Sequence, residues 1–153
     1  MISRRQFLQL GGGVLFLPLA ACGKSGAWPE GMAEIKWDRD TCTRCSMVIS
    51  DRRFAAQLRG GPKNTAMSFD DIGCLVFWLK EQAAKFAWMN DAATRLWVAD
   101  AEAMGEKWLD PRQAHFLPGR LSPMGYNFAA VSQAAAGALQ FEDMRRQVLA
   151  RGK

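Results

Sequence analysis

The chain has one histidine, His115, among 153 residues. A tetrahedral zinc site needs a second ligand pair beside Cys42 and Cys45, and only Cys74 and His115 are left to supply one. Position 46 is serine rather than histidine, so Cys42-x-x-Cys45 is no c-type haem attachment site. There is no clear parallel βαβ unit, the usual setting of a thioredoxin-like pair. No nucleophile stands with a matching base, so nothing points to an enzyme. No basic stripe carries interleaved aromatics, which argues against a nucleic-acid partner. Long apolar runs are also missing. The stretch from Leu10 to Ala21 contains Gly11, Gly12 and Gly13, and falls short of the ~20 residues of a spanning helix.

What is present begins at the N-terminus. Arg4 and Arg5 precede that short apolar stretch, as in a twin-arginine export signal. The stretch ends Leu19-Ala20-Ala21-Cys22, which resembles a bacterial lipobox with Cys22 as the acylated residue. Residues 1–21 are thus expected to be a signal peptide and 22–36 a lipidated, flexible tether rich in Gly and Pro. The domain is expected over 37–153, on the periplasmic face of a bacterial membrane. Losing Arg4 and Arg5 lowers the formal net charge from +5 to +3. With Cys22 acylated, Cys42, Cys45 and Cys74 remain. An odd number in an exported chain flags a functional thiol.

The patterning predicts an α+β fold. Residues 54–58 and 65–69 read as strands joined by the turn Gly60-Gly61-Pro62-Lys63-Asn64. Asp70-Asp71 opens a helix from Ile72 to about Phe86, with Leu75, Val76, Leu79 and Ala83 on one face. Residues 94–99 read as a third strand. Residues 114–117 and 126–131 read as strands again, and 132–150 as a second helix capped by Ser132. Strand–strand–helix therefore appears twice. We expect two small related ββα(β) halves, about 37–100 and 101–150, packed as one compact unit.

Two thiols and a thioether fall within Cys42-Thr43-Arg44-Cys45-Ser46-Met47. Soft sulfur ligands favour Cu(I) over hard cations. If this stretch is extended, Cys45 and Met47 point to the same side. A structural disulfide, a redox pair and zinc remain alternatives for the cysteines. Met124 lies in the loop Ser122-Pro123-Met124-Gly125, where a large thioether is poorly explained as packing. Cys74 shares a helix face with Asp70 or Asp71, although its apolar neighbours favour a buried, inert thiol. His115 reads as structural.

The segments Asp40-x-Cys42-x-x-Cys45-x-Met47-x-Ile49, Gln57, Phe69-Asp70-Asp71-x-Gly73-Cys74, Trp78, Trp97-Val98-x-Asp100, Trp108 and Pro123-Met124-Gly125 occur in this order. Together they resemble the NosL family, copper-binding lipoproteins that assist assembly of nitrous oxide reductase. Ser46 stands where the family usually has glycine, and Ala101 where an aromatic is common. The resemblance implies a monomeric, lipid-anchored periplasmic protein holding one Cu(I). Its ligands would be Cys45, Met47 and Met124, with Cys42 as ligand or exchange thiol. Asp70, Asp71 and Cys74 would lie just outside them. Delivery would be to the copper–sulfide centre of that enzyme, through a membrane ABC-type complex. A thiol–disulfide module, or a copper chaperone for another exported enzyme, are the alternatives.

Overall fold

The computed structural model describes residues 28–152, with Asn90 described by its backbone alone. The expected signal peptide, Cys22 and tether residues 22–27 lie outside the described residues.

Strand β1 (Ala56–Gly60) is the centre of the larger sheet. It pairs with β2 (Thr65–Phe69) on one side and β3 (Arg95–Ala99) on the other, both antiparallel. Strand β4 (Trp108–Leu109) adds to β3, giving the order β2-β1-β3-β4. The register places Ala56 beside Val98 and Leu58 beside Leu96, on one face. These four residues are buried. Helix α1 (Ile72–Glu81) contacts β1 and β2. The smaller sheet pairs β5 (His115–Pro118) with β6 (Phe128–Val131), antiparallel. Helix α2 (Phe141–Arg151) contacts β5 and α1. The fold is α+β, with strand–strand–helix appearing twice in the element order. Strand β4 lies past residue 100 yet completes the first sheet, so the chain does not divide cleanly at the expected boundary.

The expected helices are too long. α1 ends at Glu81 rather than near Phe86, because Ala83 is exposed and gives a longer helix nothing to bury. α2 starts at Phe141, not at Ser132. Its N-cap residue is Gln140, which makes no side-chain cap. The alanine-rich stretch before it is exposed, and Gly137 turns the chain at φ +78°. Leu139 then forms a bridge with Phe116, exchanging both backbone hydrogen bonds at 2.9 Å. Helix propensity is a weak preference, and tertiary pairing overrides it here. The first strand is displaced by two residues because Asp51–Phe54 form a turn, with the Phe54 N–H donating to the Asp51 carbonyl.

Residues 28–36 are not tether. They run as a strap over the side of the sheet that carries Gln57, Arg59 and Arg95. Gln57 is fully buried and clamps Ala33 from both directions. Its Oε1 accepts the Ala33 N–H at 2.8 Å, and its Nε2 donates to the Ala33 carbonyl at 2.9 Å. Arg59 donates to the Gly31 carbonyl at 2.8 Å. Trp28 meets Trp37 and Trp108, with ring centroids 6.0 and 5.4 Å away. Met32 and Ile35 are buried. Apolar residues among the glycines and prolines hold this segment down.

Candidate metal centre

The thiol loop is a closed turn, which corrects the extended stretch that the sequence suggested. Thr41 bridges Val48 in antiparallel fashion. The Cys42 N–H donates to the Met47 carbonyl at 2.8 Å, and the Ser46 N–H donates back to the Cys42 carbonyl at 2.9 Å. Ser46 takes φ +62°, a left-handed conformation that suits glycine. The same-side argument for Cys45 and Met47 therefore does not apply. Met47 is 57 % exposed. Its backbone N–H favours the Cys45 thiolate, against the effect of burial.

Three anchors hold the loop. The Thr43 N–H donates to the Ser68 carbonyl of β2 at 2.8 Å. Arg44 forks onto Glu81 at the end of α1, with contacts of 2.7 to 3.2 Å. Arg44 also donates to the Tyr126 hydroxyl at 3.1 Å and lies over the Phe77 ring. Arg44, one of the two residues between the cysteines, thus ties the loop to both halves of the protein.

Asp70, Asp71 and Cys74 come from the start of α1. Asp71 is the N-cap and accepts the Gly73 N–H at 2.9 Å. Its other oxygen accepts from the Ser122 hydroxyl at 2.5 Å and from the Met124 N–H at 3.2 Å. Gly73 has no room for a side chain, since a Cβ there would lie 2.1 Å from the Tyr126 ring. The start of α1 is thereby fitted onto the 122–126 segment.

These elements converge on one point. The sulfurs of Cys42, Cys45 and Cys74 and a carboxylate oxygen of Asp70 all lie within 4.8 Å of one another. All three thiols are free. Cys42, Cys74 and Asp70 are buried and Cys45 is half-buried. The Cys45 thiol donates to Asp70 Oδ1 at 3.4 Å.

The cluster has a defined charge pattern. Cys42 is pushed down to about 4, first by the thiol hydrogen that Cys74 donates to it. Backbone N–H groups of Cys45, Asp70 and Arg44 reinforce this against burial. Cys74 is pushed far up by giving that hydrogen bond and by burial. Burial raises Cys45 to about 11 and Asp70 to about 6. Burial also raises Asp71, partly offset by Ser122 and the two backbone donors. One thiolate is therefore surrounded by donors, and two thiols keep their protons.

The expected ligands are distributed unevenly. Cys42 and Cys45 meet, and Asp70 and Cys74 join them directly rather than from a distance. Cys74 is buried in the core with its sulfur in this cluster. Its spacing from Asp70 was the signal, because a helical turn puts both at the same end of α1. Asp71 does not join the cluster; it splices α1 to the Met124 loop. Met124 is half-buried, with its backbone held by Asp71. His115 lies on β5, where its Nδ1 meets Gln140 Nε2 at 3.1 Å, apart from the thiols.

Fold and site together define a small α+β protein with a buried cluster of three thiols and one carboxylate at a helix N-terminus. That fold is NosL-like. Among solved structures the chain matches the crystal structure of the copper chaperone NosL from Shewanella denitrificans, with a TM-score of 0.52 and 14 % sequence identity. The match covers 80 % of this chain and 89 % of that one. No family model matches the sequence, and no curated protein matches it.

Proposed function

We propose that this chain is a Cu(I) metallochaperone, lipid-anchored through Cys22 on the periplasmic face of a bacterial membrane. Its cargo would serve an exported copper enzyme. Nitrous oxide reductase, with its copper–sulfide centre, is the acceptor in this reading, reached through a membrane ABC-type complex. The observation that carries the copper reading is the convergence of three free thiols on one buried point of a NosL-like fold. Thiolates are soft donors suited to Cu(I). Cys45, half-buried beside the exposed Met47, offers an exit: an incoming partner sulfur adds before an old ligand leaves. Met47 and Met124 are proposed as thioether ligands of that outer position.

The geometry speaks against a thiol–disulfide module. Such a module exposes a low-pKa thiolate to attack its target. Here the depressed thiol, Cys42, is buried, and the more accessible Cys45 is raised.

The test titrates the reduced full chain with Cu(I) against a chromogenic chelator. One tightly held equivalent, weakened in Cys45→Ser and Cys42→Ser, is expected. Failure to compete, with turnover in insulin reduction, would overturn the reading. Membrane attachment is tested separately by fatty-acid labelling that is lost in Cys22→Ser. The acceptor is tested by nitrous oxide reductase activity in cells lacking this chain.

A further inference from the structure

We propose that the same cluster is also a four-coordinate site for a divalent ion of the zinc and cobalt class, with Asp70 as its fourth ligand. The inference deepens the copper reading by giving the cysteine cluster a second, competing class of cargo.

Geometry carries it. Zinc-class ions take four ligands tetrahedrally from thiolate, imidazole and carboxylate. Metal–sulfur bonds of about 2.3 Å imply sulfur–sulfur edges of about 3.8 Å in such a tetrahedron. The four donor atoms already lie within 4.8 Å of one another, so small side-chain movements close the shell. They come from three anchored places: the Cys42–Met47 turn, the residue before the cap of α1, and its first turn. The lone histidine is not needed, because Asp70 supplies the fourth donor.

A hydrogen bond supports it. Cys45 donates to Asp70 Oδ1 at 3.4 Å, so the carboxylate already faces a thiol of the cluster. A dication there would offset the negative charge of the thiolates and carboxylate that it gathers, as a buried site requires. Monovalent copper offsets less of it. It then needs only two sulfurs and has no use for a hard carboxylate. Asp70 is therefore the group that separates the two classes of ion.

The experiment titrates the reduced, metal-free full chain with Co(II) under anaerobic conditions. One equivalent should produce a sulfur-to-cobalt charge-transfer band with the intense visible bands of tetrahedral cobalt. Zinc should then displace it. Asp70→Asn should weaken cobalt by at least about tenfold, and by a larger factor than it weakens Cu(I) competition. Cys74→Ser should reduce the charge-transfer intensity. Octahedral spectra, or unaltered cobalt affinity in Asp70→Asn, overturn the proposal and leave the copper reading standing. If cobalt binds as predicted but Cu(I) is not held, the copper reading fails and this one survives.

Discussion

The Ser122 hydroxyl and the Asp71 carboxylate lie 2.5 Å apart across 51 residues of sequence. The same Asp71 oxygen accepts the Met124 N–H, and its partner oxygen caps α1. One buried side chain thus fixes the helix start and the loop that carries Met124. Asp71→Ala is expected to lower stability by about 3 kcal/mol, combining a lost cap with buried donors left unpaired. Urea unfolding measures it. A loss under about 0.5 kcal/mol, the size of an ordinary surface substitution, would show that Asp71 is not the splice.

Gly73 faces the Tyr126 ring. A methyl group at 73 would sit 2.1 Å from that ring, so Gly73→Ala should destabilise by about 3 kcal/mol through overpacking. If the ring is the cause, the cost should shrink in a Tyr126→Ala background, with a coupling of about 1–2 kcal/mol in a double-mutant cycle. Additive costs would point elsewhere.

Ser46 at φ +62° should be improved by glycine. Ser46→Gly is expected to stabilise the metal-free protein by about 1 kcal/mol, since the left-handed conformation costs a non-glycine residue that much. Thermal unfolding would register a rise. An unchanged or lower midpoint would mean the serine side chain offsets the strain.

The metal-free protein should also show an unusual pH profile. Asp70 is raised from 3.8 to about 6, so its contribution is present below its unfolded value and is lost as pH rises through about 6. Cys42 is lowered from 9.0 to about 4, so its contribution grows with pH from about 4 and is complete above 9.0. Between about 4 and 6 the two slopes oppose each other. From about 6 to 9 the Cys42 slope is no longer opposed by Asp70, and stability should rise with pH. Asp70→Asn should uncover a rise at the acid end as well. Cys42→Ser should flatten the upper range. Denaturant titrations of the reduced protein at stepped pH would read this. A wild type whose stability falls from pH 6 to 9 would contradict it.

Much of the first half was legible locally. Thr65–Phe69 is a strand over the residues its pattern indicated, and Asp71 caps the helix as its residue type suggested. Those signals are short-range: alternation, a turn, an acidic residue before an apolar run. The second half misled, because alanine propensity at 134–136 competes with a long-range bridge from Leu139 to Phe116. The strap misled for a similar reason. Its Gly and Pro content reads as linker, while the residues that hold it, Gln57, Arg59 and Trp108, come later in the chain.

The sequence by itself determined the chemistry available. It set the thiols of Cys42, Cys45 and Cys74, two acidic residues at a helix start, and a spacing that places Cys74 one turn from Asp70. It also established the α+β order, because those signals depend on neighbours a few residues away. Tertiary structure decided which of these groups meet. A left-handed Ser46 folds the thiol loop into a turn, Arg44 pins that turn to α1, and the Gly73–Tyr126 contact sets the helix start against the second half. These contacts join residues from 37 to 82 positions apart or depend on backbone geometry. Spacing along the chain does not encode them. That is why Cys74 and Asp70 belong to the cluster itself, while Met47, adjacent in sequence, faces solvent.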